Sequence, residues 1–376
     1  MITLKLLALL PLFAALACAA RDESPAPASV PKAVASNDDG IGKLPPRAED
    51  SNSPTPVHQA IEGSKYGIEM VFVRDSGPAG NHHRLRLIEA GGRGWDIGTL
   101  RAGDNSPKVV RADTTAIVFY RHGDYGYNTP IKLFLDPATN KIVNQLEFSS
   151  HAGLDSISRQ DLAAALGLPS MVAVGLKGRD PRPGPEEPWD MYLHQALKDH
   201  PMPPSTYADF ARARPSRVEG GYDSTSGIGE TPGPIQIDGP RIWFGKTFYD
   251  GEGMSGVGDV GYFDTSNSTY TFLKLPELVN WSASTLLVED QILWVGLVVH
   301  PEGADYGGGV LRRDLTSGNT QIYDVDGVVH RIKRWNGRTY VATENGAAVI
   351  EGDRIVARYV VEPDINGKLI LVRIDP

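Results

Sequence analysis

Residues 290–325 read DQILWVGLVVHPEGADYGGGVLRRDLTSGNTQIYDV and contain three short apolar runs separated by polar residues. The first run has Trp294 at its centre and is followed by a glycine-rich loop. The second run ends at turn residues that begin with Asp314, and the third run follows directly. Apolar runs of this length between turn residues are typical of antiparallel strands. The stretch therefore predicts a small antiparallel sheet.

The chain repeats this pattern. In the clearest copy, residues 239–273, Trp243 matches Trp294 and Asp264 matches Asp314. Further copies are found at residues 67–100, 115–148 and 337–361, and a sixth copy opens at residues 171–180. Units that recur about every 45–70 residues and hold several strands each indicate the blades of a propeller. The sequence therefore predicts an all-β fold, a β-propeller of six blades with four antiparallel strands each.

Trp243 and Trp294 hold the same place on the second strand of their units. Because the blades of a propeller cover one another on both faces, an aromatic side chain at this place is expected to be buried between two sheets. The alternative is that the two indole rings form an exposed platform for a ligand. The burial of the two rings distinguishes these interpretations.

The third unit and the end of the chain depart from the repeat. Residues 158–168 have helical spacing behind the capping residue Ser158, which predicts a helix. Residues 181–233 are rich in proline and then glycine, with two further helical stretches, and are interpreted as a partly helical insertion in blade three. Residues 367–374 form a last apolar run, which we expect to close the ring by pairing with the opposite terminal blade.

The N-terminus carries a targeting segment. Lys5 precedes an apolar run over residues 6–16 that is too short to span a membrane. The four residues that end at Cys18, Ala-Leu-Ala-Cys, resemble a bacterial lipobox, in which the cysteine is lipidated and becomes the mature N-terminus. Cys18 is the only cysteine in the chain, which favours this interpretation. The alternative is a secretory peptide that is cleaved after an Ala-x-Ala site.

The segment after the signal peptide of residues 1–17 differs in composition from the rest. Residues 18–56 are rich in proline, serine, alanine and aspartate, and they are expected to be a disordered tether before the propeller of residues 57–376. Among lipoproteins, Ala19 after the cysteine implies anchoring in the outer membrane. The sequence thus predicts an exported protein of the cell envelope.

The repeats resemble the β-propeller repeats of exported bacterial sensors and binding lipoproteins. In those proteins an LWVG-like strand, a glycine-rich loop and a DLTSG-like turn recur, as they do here in residues 293–318. The resemblance covers residues 57–374 and implies the architecture. Because propellers serve enzymes, sensors and scaffolds alike, it does not imply one activity.

Several chemistries lack their sequence motifs. The chain has no Gly-x-Ser-x-Gly, no His-Glu-x-x-His and no phosphate-binding loop, so neither a catalytic residue nor a cofactor is predicted. The pair His82 and His83 and the acidic loop residues are weak signals for a metal, and no metal site is predicted. A formal net charge of −9 argues against nucleic acid as a partner.

Basic residues recur where the second strand of a unit ends. Four units place one there, followed closely by an acid, and the fifth unit has a histidine slightly further on. If the blades are equivalent, these side chains surround one opening. They are then either exposed salt bridges or a polar site for a zwitterionic, sugar or peptide ligand. The predicted ligand-binding residues are Arg74, Arg121, Asp124, Lys177, Lys246, Asp250 and His300.

Three functions remain open from the sequence. The first is a lipid-anchored binding or scaffolding module for a protein, peptide or glycan, which contacts the membrane through its lipid alone. The second is an exported hydrolase or lyase that uses the acids at the propeller opening. The third is a structural or sensory accessory protein without a small-molecule site.

Overall fold

A computed structural model describes residues 57–60, 66–73, 82–100, 107–113, 115–122, 128–147, 153–178, 228–250, 259–278, 281–299 and 306–374. Within these ranges the fold is all-β, with five antiparallel sheets and two short helices. In the same ranges no helix is long and apolar enough to cross a membrane. The predicted signal peptide, Cys18 and the tether of residues 18–56 lie outside the described residues.

Four of the five sheets have four strands, and the fifth has five. Sheet 1 consists of β1 (Val57–Ala60), β2 (Tyr66–Val73), β3 (His82–Glu89) and β4 (Gly94–Leu100). Sheet 2 consists of β5 (Lys108–Ala112), β6 (Ala116–His122), β7 (Asn128–Leu135) and β8 (Ile142–Glu147). Sheet 3 consists of β9 (Ile228–Asp238), β10 (Arg241–Asp250), β11 (Asp259–Asp264) and β12 (Thr269–Phe272).

Sheet 4 consists of β13 (Ser282–Glu289), β14 (Ile292–Val299), β15 (Tyr306–Asp314) and β16 (Thr320–Tyr323). Sheet 5 consists of β17 (Val329–Trp335), β18 (Arg338–Thr343), β19 (Gly346–Glu351), β20 (Arg354–Pro363) and β21 (Leu369–Ile374). In every sheet, strands that follow one another in the chain pair side by side and antiparallel. This meander is the arrangement of a propeller blade, and it confirms the five clearer repeats.

The prediction that residues 367–374 clasp the opposite terminal blade is wrong. The strand in this segment, β21, pairs antiparallel with β20 and forms the fifth strand of sheet 5. A tight turn brings β21 back onto its own sheet, since Gly367 N donates to Asp364 O at 3.0 Å and Gly367 has a φ of 78°. Glycine adopts this left-handed conformation without steric cost.

The sixth copy predicted to open at residues 171–180 begins in a helix, and no strand lies in its described part, residues 171–178. Helix α1 (Arg159–Leu166) starts behind the predicted cap, where Ser158 Oγ accepts a hydrogen bond from Asp161 N at 3.1 Å. Helix α2 (Ser170–Val174) follows it. Both helices pack on one face of sheet 5, where Leu162 and Leu166 join the same buried cluster as sheet residues. The run MVAVG therefore belongs to a helix that covers a sheet, and the predicted strand there is wrong.

The predicted insertion of residues 181–233 ends earlier than expected. Strand β9 begins at Ile228, so residues 228–233 belong to sheet 3. Residues 181–227, with the two further predicted helical stretches, lie outside the described residues.

The sheets pack face to face through separate hydrophobic cores. One core joins sheets 1 and 2, and it includes Leu85 and Phe119. A second core joins sheets 3 and 4 around Trp243, and a third joins sheets 4 and 5 around Trp294. We refer to sheets 1 and 2 as the sheet pair and to sheets 3, 4 and 5 as the sheet trio. Trp243 and Trp294 are 1% and 3% exposed, which confirms that both are buried between sheets.

Glutamine side chains also join neighbouring sheets through their first strands. Gln236 on β9 donates to Val288 O at 2.8 Å and accepts from Val288 N at 2.6 Å on β13. Gln59 on β1 likewise donates to Pro107 O at 3.1 Å and accepts from Val109 N at 2.8 Å. A side-chain amide that forms both bonds satisfies a backbone donor and a backbone acceptor at once. The two contacts hold first strands of adjacent sheets in register.

Candidate functional site

The two edges of each sheet carry different connections. We call the edge where the second strand joins the third the loop edge, and the edge where the third joins the fourth the turn edge. At the turn edge the connections are tight: Asn140 N donates to Asp136 O at 2.7 Å, and Gly318 N donates to Asp314 O at 2.9 Å. At the loop edge four sheets have longer connections, residues 74–81, 123–127, 251–258 and 300–305.

Most of the predicted ligand-binding residues belong to the loop edge. Arg74, Asp124 and His300 fall in its connections and lie outside the described residues. Arg121 lies near the end of β6, opposite Thr129 on β7. Asp250 is the last residue of β10, opposite Ile228 on β9. The backbone therefore places both strand residues at the edge that the sequence predicted.

The side chain of Lys246 is buried in sheet 3. Lys246 lies three residues after Trp243 on β10, is 4% exposed, and places Nζ 4.9 Å from the centroid of the Phe272 ring. Its cross-strand partner is Asp259, whose pKa is raised by burial, against hydrogen bonds from Val260 N and Lys274 N and the charge of Lys246. Lys246 is therefore not one of a circle of exposed salt bridges, since its side chain packs against the Phe272 ring.

Lys177 does not hold the register that the sequence predicted. It follows helix α2, and its Nζ donates to Ile157 O at 2.7 Å. The bond ties the end of one helix to the turn that precedes the other. Because the unit around Lys177 is helical, Lys177 is not the counterpart of Arg121 and Lys246, which share one position on the second strand of sheets 2 and 3.

A buried ionic cluster lies where the sheet pair meets the sheet trio. Glu362 on β20 has a side chain that is only 2% exposed. Arg111 on β5 donates to both of its oxygens, at 2.9 Å from Nε to Oε2 and 3.1 Å from Nη2 to Oε1. Lys132 on β7 donates from Nζ to Oε1 at 2.6 Å and to Pro363 O at 3.0 Å. We call these three charged residues the Glu362 cluster.

Further polar groups surround the Glu362 cluster. Arg111 also forms an ion pair with Asp113. Burial alone would lower the pKa of Arg111, but its hydrogen bonds and charge interactions with the two carboxylates outweigh burial and raise it. Tyr120 lies within hydrogen-bond distance of Asn345 O and Val361 O, at 2.8 and 2.7 Å. Burial raises the pKa of Tyr120 well above its usual value, and the charges of Asp326 and Glu362 add to this.

Sequence reasoning missed the Glu362 cluster, although each member left a trace. Lys132 interrupts the apolar strand IKLFL, and Glu362 follows the apolar run of β20. A charge inside an otherwise buried strand indicates a buried partner. The partners are separated by 230 and 251 residues along the chain, so their identity depends on the packing of the sheets.

In the described part of the chain, no group of three or more histidine, cysteine, aspartate or glutamate side chains is arranged to hold a metal ion. The turn-edge aspartates are instead used by their own turns. Asp314 accepts from Thr316 N and Ser317 N at 2.9 and 2.8 Å, and Asp264 accepts from Ser266 N at 2.9 Å.

No protein family and no curated protein matches the chain. Among solved structures, the chain is similar to the periplasmic gluconolactonase of Pseudomonas aeruginosa, with 12% identity, a TM-score of 0.25, and 84% of this chain and 87% of that chain covered. It is also similar to the β-propeller domain of the Trilobed protease of Pyrococcus furiosus, with 5% identity, a TM-score of 0.23, and 85% and 92% covered.

A third similar structure is the extracellular domain of a hybrid two-component system from B. thetaiotaomicron. The identity is 10% and the TM-score is 0.24, and 85% of this chain is covered. The match spans only 30% of that longer chain. At these identities and TM-scores none of the three structures indicates an activity or a ligand for this protein.

Proposed function

We propose that this protein is an exported, lipid-anchored binding module whose propeller-type sheets present a ligand site for a protein, peptide or glycan at the loop edge. The proposal is based on the difference in connection length between the turn edge and the loop edge. Tight turns such as Asp136–Lys141 and Asp314–Asn319 leave the turn edge little room for variation, whereas the loop edge holds the longer connections. Binding residues concentrate on such connections because the sheets form a rigid scaffold that positions the loops. The sequence of a loop can therefore vary without changing the sheets.

The position of Arg121 supports the proposal. Arg121 directly follows Tyr120, whose hydroxyl contacts Asn345 O in the connection between β18 and β19. The loop edges of sheets 2 and 5 therefore meet at Tyr120, next to the backbone of Arg121. Charged residues that converge from separate sheets produce a stronger local field than isolated surface charges. Arg74, Asp124, Asp250 and His300 are proposed as further ligand contacts on the same edge.

The site is tested with a glycan and peptide array. The full-length wild-type chain is compared with the double variant Arg74→Ala, Arg121→Ala and with the control Lys141→Ala, Arg354→Ala at the turn edge. Lys246 is left unchanged because its truncation would expose the Phe272 ring. We expect the loop-edge variant to lose binding and the control to retain it. Loss in the control alone would assign binding to the turn edge, and turnover of an arrayed glycan would favour the hydrolase or lyase.

The anchor is tested separately. Cys18 is the only cysteine, so incorporation of a radiolabelled fatty acid in a bacterial host reports on this residue alone. We expect labelling of the wild type and none of Cys18→Ser. Equal labelling of both would contradict a lipid anchor at Cys18 and would leave the loop-edge site to be judged by the array.

A further inference from the structure

The sheet pair and the sheet trio have separate hydrophobic cores. The core of the sheet pair contains residues of sheets 1 and 2, from Tyr66 to Ile142. The cores of the sheet trio and of helices α1 and α2 contain residues from Leu154 onward. Among the described residues, no buried hydrophobic cluster includes members of both groups. The two groups are thus not joined by a common hydrophobic cluster, and polar interactions contribute to the contact between them.

The contacts between the two groups include a set of polar, partly buried interactions. They include the Glu362 cluster, the hydrogen bonds of Tyr120 and an ion pair between Lys108 and Asp326. Sheet 2 contributes the cations and the phenol, and sheet 5 contributes the carboxylate and the backbone carbonyls. An apolar junction would tolerate small shifts, but a bidentate guanidinium–carboxylate contact requires one geometry.

The charge balance of the Glu362 cluster makes Glu362 its decisive member. Arg111 and Lys132 both depend on this carboxylate, and Lys132 is only 9% exposed. Removing one partner of a buried ion pair costs much more than the pair contributes when intact, because the remaining charge is buried without compensation. Loss of the Glu362 charge would leave Lys132 buried beside a neutral side chain and Arg111 with Asp113 as its remaining carboxylate partner.

We infer that Glu362 is an ionic lock between the sheet pair and the sheet trio, and that its release lets the two groups separate at the loop edge. The groups keep their own cores when they separate, so opening does not require unfolding. Because Tyr120 and Asn345 meet at the loop edge, opening changes the spacing of the edges that carry the proposed ligand contacts. The lock consists of the contacts of Glu362 with Arg111 and Lys132, and these contacts require no bound ligand.

Hydrogen exchange followed by mass spectrometry tests the lock in the full-length chain. The variant is Glu362→Gln, which keeps the side-chain shape and removes the charge. We expect exchange in peptides of β6, β7 and the end of β20 to accelerate at least about tenfold, while β14 and β15 in the core of the sheet trio remain as in the wild type. Glu351→Gln is the control, because Glu351 pairs with Arg338 at 2.9 Å at an exposed site of the same sheet.

A distance measurement provides the second test. In a Cys18→Ser background, spin labels are placed at Thr99→Cys in sheet 1 and Thr316→Cys in sheet 4, both exposed. We expect the distance between the labels to lengthen or broaden with Glu362→Gln and to stay unchanged with Glu351→Gln. Exchange that rises equally in all five sheets, or a distance unaffected by Glu362→Gln, would overturn the lock.

Discussion

Sheets 1 and 4 have the same strand order and differ in how their faces are buried. Along β3 of sheet 1, His83, Leu85 and Leu87 are buried, whereas Arg84 and Arg86 are exposed. Along β14 of sheet 4, every residue from Leu293 to Val298 is buried. Alternate burial indicates a sheet with one packed face, and continuous burial indicates a sheet packed on both faces.

The difference follows from the neighbours of each sheet. Sheet 4 lies between sheets 3 and 5, so both of its faces belong to cores. Sheet 1 shares a core with sheet 2. Its other face carries polar pairs: Arg86 donates to Glu69 at 2.9 Å, and His58 lies 3.5 Å from the same carboxylate. One repeat thus produces a sheet with one apolar face or with two, depending on whether its outward positions are charged or apolar.

The largest expected effect is at Trp294 in the central sheet. Its ring stacks on Tyr323 with centroids 5.8 Å apart and is 3% exposed. We expect Trp294→Ala to lower the free energy of unfolding by about 3–5 kcal/mol, because it leaves a cavity between two sheets. Urea titration followed by circular dichroism measures the change.

Arg84→Ala in sheet 1 is the comparison substitution. Arg84 lies on β3, opposite Val71 on β2, and its side chain is exposed. We expect it to change the free energy of unfolding by less than about 0.5 kcal/mol. Equal losses in the free energy of unfolding from Trp294→Ala and Arg84→Ala would contradict the difference in burial between sheets 1 and 4. An iodide-quenchable component of the tryptophan fluorescence that is present in the wild type and lost in Trp294→Ala would contradict the buried position of Trp294.

Much of this difference could be read from the sequence. The run ILWVGLVV of β14 is apolar throughout, while HHRLRLIE of β3 alternates, and these patterns reflect burial on two faces and on one. The turns were equally predictable, because aspartate, asparagine and glycine at fixed places determine their geometry. Local chemistry thus predicted the four-stranded meander that all five sheets contain.

Packing between distant segments could not be predicted in the same way. The run at residues 171–174 is apolar enough for a strand, and only its position on sheet 5 behind α1 makes it helical. The return of β21 onto β20 rather than onto another sheet depends on a five-residue turn and on which edge lies nearest. The burial of Lys246 could not be predicted either, because the Phe272 ring beside its Nζ belongs to a different strand, the last of the sheet.

The second effect concerns Gly296, where sheets 4 and 5 approach closely. A Cβ at this position would lie 2.5 Å from Ser284 Oγ and 2.8 Å from Val329 Cβ. The Ser284 hydroxyl donates to Val329 O at 2.7 Å, so moving it would break a hydrogen bond between the sheets. We expect Gly296→Ala to lower the free energy of unfolding by about 1–3 kcal/mol in the same titration.

The control for Gly296 is Gly91 in the turn between β3 and β4 of sheet 1. A Cβ there would have no atom within 4 Å, so we expect Gly91→Ala to change stability by less than about 0.5 kcal/mol. A Gly296→Ala variant as stable as the wild type would mean that the contact between sheets 4 and 5 is looser than the structure shows.

The smallest effect is a dependence on pH from the turn edge of sheet 4. Hydrogen bonds from Ser317 N and Thr316 N lower the pKa of Asp314, and the third-to-fourth turn of sheet 1 has no aspartate. A carboxyl group whose folded pKa lies below its unfolded value of about 3.9 stabilises the fold above that value. The stabilisation is lost as the pH falls through the folded pKa.

We therefore expect Asp314→Asn to be less stable than the wild type at pH 7 and the two proteins to converge as the pH falls below about 4. Thermal unfolding between pH 7 and pH 3 measures the difference. Gly91→Ala serves as the control, because it changes no titratable group and should keep a constant offset. The asparagine retains a side-chain oxygen for the turn, so the charge alone is removed. A difference between Asp314→Asn and the wild type that stays constant over this range would assign the contribution of Asp314 to turn geometry and not to its charge.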